Sequence, residues 1–262
     1  MTGERRTTSA VENLSFSDEE ELIRLLGFAS LEKIIDFISI RPAMDLHYPT
    51  QYRKLRTPLT AAIDRGTPSI LKSLLDRFSV SLDSTTTQPF GKTALMHASY
   101  VSRNPEVIRV LIARGANVRK TDDVGWNPLY YAIVGERTEN VKCLIESGTD
   151  LESRDFQGRT PLMIAVILSN LGTAKLLLDH GADPTAIDDL GCTALKLAIL
   201  RNKHELAIIL AEYETDVTCE PSTVIHSDYE LAEHLMPDLV PIMRENTLRK
   251  RRDLEKTTLI ND

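Results

Sequence analysis

The chain has 262 residues, 42% of them apolar and 26% charged, and its formal net charge of −7 argues against a general nucleic-acid binder, which would carry a broad basic face. Three cysteines without C-x-x-C spacing (Cys143, Cys192 and Cys219) indicate reduced thiols, and no apolar run has the length of a membrane helix or the pattern of a signal peptide. We therefore expect an intracellular protein, in the cytoplasm and possibly also the nucleus, that binds neither nucleic acid nor a membrane.

The chain begins with a polar lead and two short helices. Residues 1–16 are rich in Ser and Thr and have no periodicity, so we expect them to be disordered. Residues 17–20 (Ser-Asp-Glu-Glu) form a capping-box pattern that opens one helix, and Ser30 opens a second. We interpret residues 17–55 as a degenerate repeat that caps the array behind it, followed by a long loop that starts near residue 41 and is of a length often functional or mobile.

A unit of about 33 residues then recurs five times over residues 56–218. Each copy opens with an octet typified by GRTPLMIA at residues 158–165. The Thr or Asn of each octet lies at Thr57, Thr93, Asn127, Thr160 and Thr193. The steps are therefore 36, 34, 33 and 33 residues. A period of this length indicates an array of one repeated supersecondary unit.

The octet predicts the first of two helices in each unit. Thr or Asn accepts a hydrogen bond from an orphan amide of the first turn, Pro suits the first helical position, and a small Ala five residues after the cap lets a neighbouring helix approach. A second apolar cluster, such as residues 176–178, predicts a second helix. Gly115, Gly148 and Gly181 end that helix in three units, since Gly tolerates the left-handed conformation. An Asp-rich turn then leads to the next unit.

These units resemble ankyrin repeats, whose pattern Asp-x-x-Gly-x-Thr-Pro-Leu, helix, turn, helix, Gly-Ala-Asp they follow over residues 56–218. The resemblance implies an all-α fold, an ankyrin-repeat solenoid of stacked helix–turn–helix units with projecting hairpin loops. The family's usual His after Thr-Pro-Leu is absent, so we expect the hydrogen bonds that it makes between repeats to be missing. In its place stand Thr60, Met96, Tyr130, Met163 and Lys196.

The pattern breaks after the fifth repeat. Ser227 and the residues after it form another capping box, which predicts a helix that Pro237 ends, and we interpret residues 219–243 as a segment that caps the last repeat. Residues 244–262 are highly charged and are predicted to form a flexible tail. The basic cluster Arg249–Arg252 within them is either a nuclear-import signal or a solvated charged segment.

No catalytic, cofactor-binding or metal-binding constellation stands out in the sequence. The serines lie in no G-x-S-x-G turn, and there is no Gly-rich loop to hold a phosphate. The Asp pairs of the turns lack the alternating ligands of a calcium loop, and Cys219, His226 and His234 match no strong zinc spacing. We therefore expect no enzymatic activity, no cofactor and no metal.

An apolar residue recurs one or two positions before the Gly of four hairpin turns, where a solvent-facing turn has no local need for one. If the hairpins stack in register, these side chains form a strip, flanked by the only tryptophan and by two basic residues. Aromatic and Arg side chains of this kind are typical of binding hot spots, whereas the alternative is that they fold back and pack between hairpins. The residues of this finger strip are Phe90, Lys92, Val124, Trp126, Phe156, Arg159 and Leu190.

The resemblance implies a protein-binding module without catalysis, an adaptor or scaffold that holds a protein partner on its concave and finger face. The alternative is a regulatory inhibitor that masks a transcription factor or a kinase in the nucleus or cytosol, with the basic cluster and the long loops as switches. We expect the chain to be a monomer on its own. The partner's identity does not follow, because function lies in the site and not in the fold.

Overall fold

The structure is a computed structural model, and it describes residues 18–41, 44–46, 57–85, 91–213 and 223–261. These ranges contain fourteen α-helices and no strand. The helices are α1 Asp18–Phe28, α2 Leu31–Ser39, α3 Pro58–Arg65, α4 Pro68–Arg77, α5 Ala94–Val101, α6 Pro105–Ala113, α7 Pro128–Val134, α8 Thr138–Glu146, α9 Pro161–Ile167, α10 Leu171–Asp179, α11 Ala194–Leu200, α12 His204–Tyr213, α13 Thr223–Leu235 and α14 Leu239–Asn261. The predicted disordered lead and residues 47–56 of the long loop lie outside the described residues.

The helices form seven consecutive pairs that stack in two layers. The first helices of the pairs, α1 to α13 by odd numbers, contact one another in order, and we call them the inner layer. The second helices, α2 to α14, do the same in the outer layer. Since each pair mainly contacts its neighbours, the predicted all-α repeat solenoid is confirmed.

The inner helices of the five repeats begin where the caps predict. Each capping side chain accepts a hydrogen bond from a backbone amide two or three residues further on. The small residue five positions after each cap is fully buried. These residues are Ala62, Ala98, Ala132, Ala165 and Ala198. A larger side chain there would push adjacent inner helices apart, so the octet sets the spacing of the layer.

The expectation that no hydrogen bond joins the repeats at the place of the missing His is wrong at Tyr130. This side chain is fully buried, and its hydroxyl lies 2.6 Å from the carbonyl oxygen of Ser153 and 2.7 Å from that of Arg159, both in the next hairpin. Burial raises the pKa of the Tyr130 hydroxyl, so it remains a donor. A single O–H donates to one acceptor at a time, so the Tyr130 hydroxyl bonds one or the other arm of that hairpin at any moment.

The C-terminal segment forms a seventh helix pair. Helix α13 packs against α11 and helix α14 against α12, so the pair covers the end of the fifth repeat. The hydroxyl of Thr193 donates to the buried carboxylate of Asp228 at 3.0 Å, and the amide of Asn246 donates to the carbonyl of Ala211 at 3.3 Å. These bonds fix both helices to the array.

Two predictions for this segment differ from the structure. Helix α13 begins at Thr223, so Ser227 lies within the helix and is not its cap, although the helix does end before Pro237. The predicted flexible tail from residue 244 is instead the continuation of α14, which runs unbroken to Asn261. Its Arg, Lys, Glu and Leu residues are all good helix formers, so high charge alone was a misleading signal.

Candidate functional site

One buried Asp organises each of three successive hairpin turns. The Oδ1 atom of Asp155 accepts hydrogen bonds from the backbone amides of Gln157 and Arg159, at 2.9 and 3.0 Å. Asp122 and Asp188 accept the equivalent pair of bonds in their own turns. An Asp side chain that bonds its own turn in this way holds the backbone in one shape. The residue at each hairpin tip is therefore presented on a rigid support.

Backbone hydrogen bonds also join adjacent hairpins. The amide of Phe156 donates to the carbonyl of Val124 at 3.1 Å, and the amide of Asp189 donates to that of Gln157 at 3.0 Å. The approach is so close that a Cβ on Gly125 would lie 2.9 Å from the carbonyl oxygen of Arg154. The hairpins from residue 122 to residue 191 therefore form one continuous edge.

Two predicted residues of the finger strip stand exposed on this edge. Phe156 exposes 65% of its surface and Leu190 exposes 84%, whereas Val124 is half-buried. Ile187, on the same hairpin as Leu190, is 43% exposed and was missed by the sequence analysis. The sequence does contain a signal for Ile187, because the equivalent residue of the preceding repeat, 33 positions earlier, is the polar Arg154. The exposed apolar group is therefore Phe156, Ile187 and Leu190, which we call the finger tips.

Trp126 does not join this exposed group. Its indole stacks on the ring of Tyr130, with centroids 5.7 Å apart, and meets the ring of Tyr131 edge-on at 5.5 Å. The side chain packs against the hydrophobic core, and its buried Nε1 atom finds no acceptor among the described residues. For Trp126 the geometry favours the second interpretation, in which the side chain folds back into the array.

The two basic residues of the strip are also engaged within the array. The Lys92 ammonium lies 4.5 Å from the centroid of the Tyr131 ring, and the Arg159 guanidinium donates to Asp155 Oδ2 at 2.6 and 2.8 Å. Burial by itself would raise the pKa of Asp155, but the bonds from Arg159 and the backbone amides outweigh it and hold the pKa below its usual value. Phe90, the remaining residue of the strip, lies outside the described residues.

Comparison with protein families identifies the array. The family model of ankyrin repeats (three copies) matches the chain in four overlapping stretches, at residues 28–122, 59–155, 101–188 and 141–221. The chain belongs to the ankyrin-repeat family. Ankyrin repeats are generally protein–protein interaction modules and are typically non-catalytic. A comparison with curated proteins gives no match.

The two cysteines that the structure describes are poorly suited to nucleophilic chemistry. Cys143 and Cys192 are free thiols, the first buried and the second partly buried. Burial raises the pKa of both thiols, and a thiol reacts as its thiolate. The described part of the chain also contains no group of three or more His, Cys, Asp or Glu side chains able to hold a metal ion. None of its helices is both long and apolar enough to cross a bilayer.

Proposed function

We propose that this ankyrin-repeat protein is an adaptor or scaffold that binds a protein partner at its finger tips. The observation that carries the proposal is the exposure of Phe156 and Leu190, at 65% and 84%, on adjacent hairpins. Exposed apolar side chains grouped in this way mark interaction sites. Burying one such side chain contributes about 1.5–3 kcal/mol.

The rigidity of the edge supports the same proposal. The turn carboxylates and the bonds between hairpins hold the finger tips in place before any partner arrives, so little conformational entropy is lost on binding. The proposal requires no chemistry from the protein. It also places the protein inside the cell, in the cytoplasm or nucleus, for which the free thiols of Cys143 and Cys192 are the support.

The test compares two double variants in which exposed apolar residues become Ser. Phe156→Ser/Leu190→Ser removes two finger tips, and Leu248→Ser/Ile208→Ser removes residues that are 54% and 37% exposed on α14 and α12. Partners captured by the wild-type chain would be identified by mass spectrometry, purified and titrated against each variant. We expect the finger-tip variant to bind at least tenfold more weakly and the control variant to bind unchanged. Equal dissociation constants for all three proteins would refute the proposed site.

A further inference from the structure

The charge of the hairpin loops changes along the array and is most negative where two of the three finger tips stand. The loop at residues 115–127 holds two acids and two bases, and the loop at 148–160 holds three acids and two bases. The loop at 181–193 holds three acids and no base, and it carries Ile187 and Leu190. A partner that covers the finger tips therefore meets an acidic surround at this end.

The turn carboxylate of this last loop lacks the cation that its counterpart has. Asp155 is paired with the Arg159 guanidinium at 2.6 Å, so the hairpin at 155–159 contributes no net charge. In the next repeat Cys192 takes the place of Arg159. Asp188 accepts hydrogen bonds from the backbone amides of Leu190 and Cys192, and no described cation forms an ion pair with it. The charge of Asp188 is therefore not compensated within its own turn.

Asp189 brings a second carboxylate between the finger tips. Its backbone amide donates to the carbonyl of Gln157 at 3.0 Å, and a Cβ on Gly158 would overlap its Oδ1 atom. The carboxylate therefore lies against the turn that presents Phe156, while the next residue in the chain is Leu190. Asp189 is exposed and, within the described ranges, forms no ion pair with a Lys, Arg or His.

The fold does not require an acid at this place. The repeat pattern Asp-x-x-Gly leaves the position after the Asp open, and the preceding repeat has Phe156 there. Asp189 is also not the residue that bonds the turn amides, since Asp188 does so. The exposed carboxylate is therefore available to a cation of a partner.

The other charged groups near the loop leave it negative. Two cations are close to it. Arg154 donates to the carbonyls of Gly158 and Ile187, and Lys196 stands in the first turn of α11. Five carboxylates oppose these two cations, three from the loop itself, one from the preceding loop and one from α13. They are Asp183, Asp188, Asp189, Glu152 and Asp228. The local charge therefore has the same sign as the net charge of −7.

This charge discriminates between partners that are equally apolar. A carboxylate brought to the finger tips would face like charges, which costs free energy and disfavours acidic segments. A Lys or Arg can instead place its charged group at Asp189 while its apolar stem lies along Phe156 or Leu190. Both the apolar and the acidic features of the surface are then used by one segment.

We infer that the finger tips select a segment of the partner protein in which Lys or Arg stands beside apolar side chains, and that Asp189 receives the cation. The apolar side chains cover Phe156, Ile187 and Leu190. This selectivity depends on the proposed function, because it names the chemistry of the partner at the same site.

The test selects binders of the full chain from a phage-displayed library of random short peptides. We expect the selected peptides to carry Lys or Arg beside Leu, Phe or Trp. The selected peptides are then synthesised with a fluorophore, and fluorescence anisotropy gives their dissociation constants for the wild-type chain and for three variants.

The variants separate the contact with Asp189 from the effects of net charge and of the apolar surface. Asp189→Asn keeps the size of the side chain and should weaken binding about fivefold, as expected for the loss of one exposed ion pair. Asp238→Asn is the matched control, since it changes the net charge equally at an exposed residue between α13 and α14, and it should leave the affinity unchanged. Phe156→Ser/Leu190→Ser should weaken binding about tenfold or more. Circular dichroism checks that each variant keeps its helices.

The outcomes distinguish this selectivity from the finger-tip site itself. Peptides that depend on Phe156 and Leu190 but lack a base, or that bind Asp189→Asn as tightly as wild type, would overturn the selectivity and leave the finger-tip site standing. Equal weakening by Asp189→Asn and Asp238→Asn would also overturn it, because the preference for bases would then come from net charge alone. If no selected peptide depends on Phe156 and Leu190, both proposals fail.

Discussion

At the scale of single residues, the hairpin edge depends on buried carboxylates that accept hydrogen bonds from their own turns. Asp155 is only 5% exposed, and its two oxygens accept bonds from the amides of Gln157 and Arg159 and from the Arg159 guanidinium. A buried charge is stable only when it is paired and hydrogen-bonded. The Asp155–Arg159 pair therefore determines the shape of the hairpin that presents Phe156.

Replacement of Arg159 by Met should lower the free energy of unfolding by about 2–3 kcal/mol near pH 7, because hydrogen bonds to a buried charged group are lost. The pKa of Asp155 is lower in the folded protein than its unfolded value of about 3.9. The stabilisation is therefore complete above about pH 4 and is lost as the pH falls through the lower folded pKa. Urea unfolding at a series of pH values from neutral to acid should show the gap between wild type and variant closing below about pH 4.

Arg109→Met is the matched control, since Arg109 forms an ion pair at 3.3 Å with Glu106 in which both side chains are more than half exposed. Exposed pairs of this kind contribute about 0–1 kcal/mol, so this variant should track the wild type at every pH. If the difference in free energy of unfolding between wild type and Arg159→Met stayed constant over the whole pH range, the loss of stability would come from packing and not from the charge of Asp155.

At the scale of the helices, the array depends on close contact between neighbouring inner helices. Gly135, at the end of α7, has an ordinary φ of −75°, yet a Cβ there would lie 2.6 Å from the carbonyl oxygen of Tyr100. Glycine is therefore needed for space and not for its backbone freedom. The separation of α5 and α7 is set at this residue.

Gly135→Ala should consequently destabilise the protein by about 1–3 kcal/mol, the usual cost of forcing an extra methyl group into a packed contact. Gly172→Ala is the matched control, because Gly172 lies inside α10 and its nearest atom, Asn170 Oδ1, is 3.9 Å from the added Cβ. That substitution should stabilise the helix by about 0.5–1 kcal/mol. Chemical denaturation measures the free energy of unfolding of both variants. Changes of the same sign relative to wild type would contradict the steric explanation.

The repeat helices could be predicted from the sequence because their signals are local and occur five times. Each signal depends only on its own helix turn or on one helix–helix contact, as do the cap Thr160, the Pro after it and Ala165. Their spacing therefore indicates where each helix begins and which face it buries. The C-terminal pair gave no such repetition. The position of α14 depends on its packing against α12 and on hydrogen bonds such as that from Asn246 to the carbonyl of Ala211. Sequence periodicity does not predict contacts of this kind.

The candidate site could be predicted only in part, because position along a turn does not determine which way a side chain points. Val124 and Leu190 both directly precede the glycine of their turn, yet Val124 is half-buried and Leu190 is exposed. Trp126, just after the glycine, turns inward onto Tyr130 and Tyr131. Those tyrosines follow in the next helix, so the relevant interaction is tertiary.

At the scale of the whole molecule, stability in a linear array is the sum of each unit and its contacts with its neighbours. The N-terminal pair, α1 and α2, has the array on one side and is joined to it through Arg65. The Nη1 and Nη2 atoms of that guanidinium donate to the carbonyls of Leu26 and Ala29 at 2.8 and 2.7 Å. These carbonyls lie at the end of α1, where no amide of the helix is available to them.

Arg65→Leu should therefore loosen one end of the protein and leave the rest intact. The two carbonyls would lose charged donors, at a cost of about 1–3 kcal/mol, and the cost falls on the contact between α1 and α3. Hydrogen exchange measured by mass spectrometry should show faster exchange across Asp18–Ser39 and unchanged exchange from α7 onward. The fluorescence of Trp126, the only tryptophan, should keep its wild-type urea transition, since its repeat lies two pairs away.

Arg24→Leu provides the comparison within the same pair, because Arg24 is 71% exposed and its contact with Glu21 is 3.5 Å long. That substitution should leave exchange unchanged everywhere. If Arg65→Leu instead accelerated exchange uniformly along the chain, the array would unfold as one cooperative unit. The stability of this protein would then not be the sum of its repeats and their contacts with neighbours.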